Sequence, residues 1–212
     1  MLQRAVRYLQ YGQFCFLVCC SWCLLIDPAA LVDRGGLSFY GSFQTALLPY
    51  LIGLGATAAC LWHAAYLLKT AHGAFVRHIR IVLWISACCL FGILVTPSFL
   101  SSPMHAIHSL FVIVLFSSQL WLGRKLAMSR YGLRTEHFVF VIQLLACAVM
   151  ALSVRYASME YLMVPAQVIA GITASVLITR TLTVSARKQP EVLAPVTVIE
   201  EDILTKEPSG SS

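Results

Sequence analysis

Apolar residues gather into six long runs, and few polar residues lie inside them. The runs cover residues 8–26, 45–68, 81–96, 107–123, 137–154 and 161–179. Each is roughly 16 to 24 residues, close to the ~20 that a helix needs to cross the hydrocarbon core of a bilayer. The pattern therefore predicts an all-α bundle of six transmembrane helices. Short gaps pair them as three hairpins: first with second, third with fourth, fifth with sixth.

The gaps alternate in charge. Arg4 and Arg7 precede the first run, and Lys69, Arg77 and Arg80 follow the second. Arg124, Lys125, Arg130 and Arg134 follow the fourth, and Arg180, Arg187 and Lys188 follow the sixth. The other gaps hold only Arg34 and Arg155. Short loops rich in Lys and Arg stay on the cytoplasmic side, so the alternation predicts that both termini are cytoplasmic. The first run resembles a signal peptide, but its apolar part is too long and Asp27 precedes the only small-residue site; a retained anchor is expected.

Breakers set the expected helix ends. Ser102-Pro103 reads as a cap followed by a first-turn proline, where the missing N–H costs nothing. Thr96-Pro97 ends the third helix. Pro49 and Pro165 lie in the first turns of the second and sixth helices or kink them. Gly55 and Ala59, with Gly53 and Thr57 beside them, and Gly171 with Ser175 form small-xxx-small spacings that predict close helix packing. Gln119 and Gln143 fall at similar depth and are expected to bond each other across the bundle.

Composition agrees with a membrane domain: 59% hydrophobic residues, 11% charged, and a mean hydropathy of +0.80. The net charge of +6 is spread along one face of the bundle, which suits anionic headgroups and argues against nucleic acid as a partner. Residues 1–183 are expected to form the membrane domain, in a prokaryotic plasma (inner) membrane. Residues 184–212, richer in Pro, acidic side chains and Ser/Gly, are expected to be a disordered cytoplasmic tail. Residues 196–202 in that tail offer a short segment for a protein partner. All eight cysteines fall inside apolar runs, so no disulfide framework is implied. The Cys20–Cys23 CxxC lies near a helix C-terminus, not at the N-terminus that activates such a pair, and is expected to pack as small apolar residues.

No run contains a mid-span Asp, Glu, Lys or Arg, which argues against a proton-coupled pump. Polar chemistry gathers instead at the expected outer end. His105 and His108 open the fourth helix at i and i+3. The longest loop, residues 27–44, brings Asp27, Asp33, Arg34, Ser38 and Tyr40 to that side, and Arg155 and Glu160 follow the fifth run. Three uses fit. A lipid headgroup would find donors on Ser38, His105, His108 and Arg155, beside a helix N-terminus suited to a phosphate. Zinc would take His105 and His108, with Asp27 or Asp33 as third ligand, in an outer-leaflet metal-dependent hydrolase. Interfacial capping needs no ligand at all. Ser38 with a histidine and an aspartate also has the residues of a serine hydrolase, but there is no nucleophile elbow of G-x-S-x-G form. A small-solute transporter would line its path with Gln119, Gln143 and Gln167.

Six spans, the long first outer loop reading Gly36-Leu37-Ser38-Phe39-Tyr40-Gly41, and a histidine opening the fourth helix resemble one membrane family. It comprises the damage-regulated autophagy modulators, the GPI-anchor remodelling factors and prokaryotic relatives of unknown function. The resemblance covers roughly residues 8–180. It implies that Ser38 and Gly41 match a serine-then-glycine signature in that loop, and that His105 or His108 matches the family's outer histidine. Tyrosine follows where relatives often carry an acidic residue. The resemblance implies membrane-lipid handling and regulatory association without a settled activity. The leading expectation is a non-enzymatic, lipid-interacting or accessory membrane protein that needs no cofactor.

Overall fold

A computed structural model describes residues 1–28, 36–42, 44–71, 73–96, 102–128 and 134–192. Among them the chain is helical and holds no strand. The long helices are α1 (Leu2–Ile26), α2 (Gln44–Leu67), α3 (Ala74–Val95), α4 (Ser102–Ala127), α5 (Arg134–Arg155) and α6 (Met163–Val192). Among the described residues, 3₁₀ turns span Gly36–Ser42, Leu68–Thr70 and Ala157–Leu162. Six spans are long and apolar enough to cross a membrane, from 21 residues in the third to 29 in the sixth. The protein is a multi-pass, all-helical membrane protein. Asp33, Arg34 and residues 193–212, which include the partner segment of the tail, lie outside the described residues. Helix α6 continues to Val192, past the composition change after Thr183.

Large apolar side chains cover the outside. Leu25 is 84% exposed and Val154 75%, with Phe14, Trp22, Leu48 and Phe138 also facing out. Such a surface would drive aggregation in water; in a bilayer it is the face the lipid tails touch. Helix satisfies every backbone group locally, which is why apolar runs of this length adopt it in lipid.

Helices α1, α2, α3, α4 and α6 pack in sequence around a ring that α6 closes against α1. Helix α5 packs on α4 and α6 from outside it. The interior divides into two main layers. One joins Leu9 of α1, Leu68, Leu83 of α3, Leu122 of α4 and Leu182 of α6 at the basic end. The other joins Cys23, Tyr40, Tyr50, Leu90 and Leu115 at the opposite end.

Close approach between α1 and α2 depends on small residues, though not all of those expected. A Cβ on Gly12 would sit 2.9 Å from Cys60 Cβ, and one on Gly53 would collide with Cys19. Between them the Thr57 hydroxyl donates to the carbonyls of Gly12, 3.2 Å away, and Gly53, 2.7 Å away. Gly55 has nothing within 4 Å and Ala59 is exposed, so the contact face runs through Gly53 and Thr57. In α6, the Ser175 hydroxyl donates to Gln13 Oε1 of α1 at 2.9 Å, as a packing face there requires.

The expected Gln119–Gln143 bond does not form. Both amide atoms of Gln143, which is fully buried, lack a partner among the described residues. Its oxygen instead presses on Gly123, where no Cβ stands in the way. The reason is the position of α5: outside the ring, equal depth does not bring the two amides together.

Candidate functional site

Proline starts the construction of the site. A residue before proline is pushed out of the helical region. Thr96 precedes Pro97 and has φ −118° and ψ 71°, so α3 stops at Val95. The last carbonyls of a helix have no intrahelical partner. The Thr96 carbonyl is therefore free, and His108 Nδ1 lies 2.7 Å from it. A carbonyl only accepts, so Nδ1 carries the proton and donates. In the neutral ring this leaves Nε2 as a bare acceptor. Ser38 Oγ lies 2.8 Å from Nε2 and donates its single proton there. His108 is 5% exposed, so this geometry is held away from solvent.

Glycine places Ser38. Gly36 has φ +58°, a left-handed backbone that costs an L side chain about 1–2 kcal/mol. A Cβ there would also stand 2.8 Å from Gln167 Oε1 and 3.0 Å from Met163 Sδ. With no Cβ in the way, the Gln167 carboxamide reaches the turn, and Leu37 N–H donates to Gln167 Oε1 at 2.8 Å. Gly41 plays a second part: a Cβ there would press on the Tyr50 ring at 3.1 Å. Tyr50 lines the same cavity as Ser38. Tyr40, fully buried, donates its hydroxyl to the Asp27 carbonyl at 3.2 Å. Burial, with Cys23, Asp27 and Cys20 adding, pushes the Tyr40 phenol up to about 12, so it stays a donor at any physiological pH. The Gly36–Ser42 turn thus lies across the end of the ring, tied to the end of α1 by Tyr40, to α4 by His108 and to α6 by Gln167, and packed on Tyr50 of α2 at Gly41.

Beneath that turn is a cavity of about 140 Å³. Leu37, Ser38, Tyr50 and Gln167 line it at the turn, and Leu54, Leu90 and Leu115 line it below. Its wall on α2 runs from Tyr50 to Leu61, about 16 Å at the helical rise of 1.5 Å per residue. All five helices of the ring contribute, and no described residue of α5 does. A dry void of this size forfeits packing worth about 3 kcal/mol at ~24 cal/mol per Å³. Ser86 and Gln119 add polar atoms midway along, and Gln119 Oε1 has no partner among the described residues.

The expected site residues separate into two groups. Ser38 and His108 meet. His105, at the same end of α4, is exposed, and Arg155 is exposed with its guanidinium 6.0 Å from the Tyr156 ring centre. Neither lines the cavity. Both ring nitrogens of His108 are already engaged, so a metal would have to displace Ser38 or Thr96. Among the described residues no three His, Cys, Asp or Glu side chains gather at one point. Asp27 caps α1 and lends its carbonyl to Tyr40, while Asp33 lies outside the described residues. Gln119 and Gln167 line the cavity but Gln143 does not, so the three glutamines do not share one path. The Thr96 carbonyl is the partner that sequence reasoning missed, and Pro97 was the signal for it.

No protein-family model, curated protein or solved structure matches the chain. The geometry alone carries the functional reading.

Proposed function

We propose that this is a lipid-binding membrane protein that draws one acyl chain into the ring cavity and holds the lipid's polar linkage at Ser38, Tyr50 and Gln167. The observation that supports it is the cavity itself: a long, mainly apolar space with Ser38, Tyr50 and Gln167 at one end, under a turn bonded to three helices. An acyl chain gains little by leaving bilayer hydrocarbon for protein, since lipid tails are as apolar as leucine. Affinity then comes from filling the void and from hydrogen bonds at the head, which selects lipids carrying an acceptor near the chain. Placing the Ser38 end away from the cytoplasm, as the basic gaps suggest, gives access from the outer leaflet. The family resemblance belongs to the same proposal, and of its two histidines the one bonded to Ser38 is the better counterpart.

A lipid with a photoactivatable diazirine at the end of its acyl chain tests this in liposomes containing the protein. Crosslinks are expected on cavity residues such as Leu54, Leu90 and Leu115. Crosslinks confined to outward residues such as Leu25, Leu48 and Val154 would reject the reading.

A further inference from the structure

We propose that Ser38 is a nucleophile and His108 its general base, acting on the carboxylic ester of a lipid whose acyl chain occupies the cavity. This rests on the acyl-chain reading above and adds a reaction to it. Three observations carry it. The hydroxyl proton of Ser38 already points at the unprotonated Nε2 of His108, at 2.8 Å, within the reach a general base requires. The other nitrogen is fixed by donation to the Thr96 carbonyl at 2.7 Å, which sets the tautomer as the aspartate of a Ser-His-Asp triad does. Ser38 lines a mainly apolar space within the helix ring in which an ester can be held beside it.

Interfacial capping would hold a histidine to any nearby group. It does not require the one tautomer in which a serine proton faces a bare ring nitrogen over a mainly apolar cavity. The wider sequence lacks a nucleophile elbow because Ser38 is presented by a 3₁₀ turn, not by a strand-to-helix bend.

The reaction balances without a cofactor. Ser38 Oγ attacks the ester carbonyl carbon while its proton passes to His108 Nε2. The carbonyl π electrons move to oxygen, giving an oxyanion next to Oγ in the cavity that Tyr50 also lines. Collapse of the oxyanion breaks the bond to the alcohol oxygen, and Nε2 returns the proton to that leaving alcohol. The product is an acyl-serine. Water, or the hydroxyl of a second lipid, then attacks the same carbon and gives its proton to Nε2. The Ser38–acyl bond breaks, Oγ takes the proton back, and a free acid or a new ester leaves. The Thr96 carbonyl carries no full charge, so it steadies the imidazolium less than a carboxylate would, and slow turnover follows.

The test treats the full-length protein with a long-chain alkyl fluorophosphonate and reads intact mass and the modified residue. The wild type is expected to gain one phosphonyl group on Ser38, with loss of fluoride. His108→Gln is expected to slow labelling by at least about a hundredfold, His105→Ala to leave it unchanged, and Ser38→Ala to abolish it. Tandem mapping on the wild type keeps the test decisive even where a variant folds poorly. An unlabelled wild type, label on another residue, or labelling indifferent to His108 would overturn the proposal. Diazirine crosslinking on the same preparation separates the two claims. Cavity crosslinks without phosphonylation overturn the nucleophile alone, and neither signal overturns both.

Discussion

At the scale of single residues, two histidines three positions apart have unlike surroundings. His108 is buried and bonded on both ring nitrogens, while His105 is exposed. His108→Ala removes the hydrogen bonds to the Ser38 hydroxyl and the Thr96 carbonyl, so it should cost about 1–3 kcal/mol. His105→Ala should stay within about 0.5 kcal/mol of wild type. Thermal unfolding in detergent measures both; equal effects would contradict the contrast. Gly36→Ala tests the turn. It meets a left-handed backbone and the Gln167 amide together, so it should lower the midpoint by more than the ~1–2 kcal/mol of backbone strain alone. Removing the amide in Gly36→Ala/Gln167→Ala should recover part of that loss.

At the scale of helices, spacing alone does not say which small residue meets a neighbour. Gly53 and Gly55 lie two positions apart in α2, yet only Gly53 faces α1. Gly53→Ala should force the pair apart and cost about 1–3 kcal/mol. Gly55→Ala should be neutral or add up to about 1 kcal/mol through helix propensity. The same limit explains what could be read in advance. The six spans were legible because a bilayer fixes helix length and apolar content, and the ends of α3 and α4 were legible because proline acts locally. The presence of Ser38 and both histidines at one end followed from alternating hairpins. Which histidine turns inward did not, since i and i+3 differ by enough rotation to put one in the ring and one outside. Nor did the place of α5, which makes Gln143 a buried amide beside Gly123 and leaves Gln119 in the cavity wall.

At the scale of the molecule, charge and site occupy opposite ends of the bundle. The basic gaps lie at the end packed around Leu9, Leu68 and Leu122, and the Ser38 turn closes the other. If those gaps set orientation, reporters fused after residue 212 or joined before residue 1 should be active only when they work in the cytoplasm. Activity of an exported reporter at the C-terminus would reverse the orientation and move the lipid entrance to the inner leaflet.

The central claim is that the ring holds a lipid chain beneath the Ser38 turn. Native mass spectrometry of the protein freed from mild detergent, beside the cavity-filling Leu54→Trp variant, tests it most directly. The account predicts a discrete lipid mass on the wild type that the variant loses while remaining folded. A bare wild type, or a lipid mass that the filled cavity retains, would contradict it.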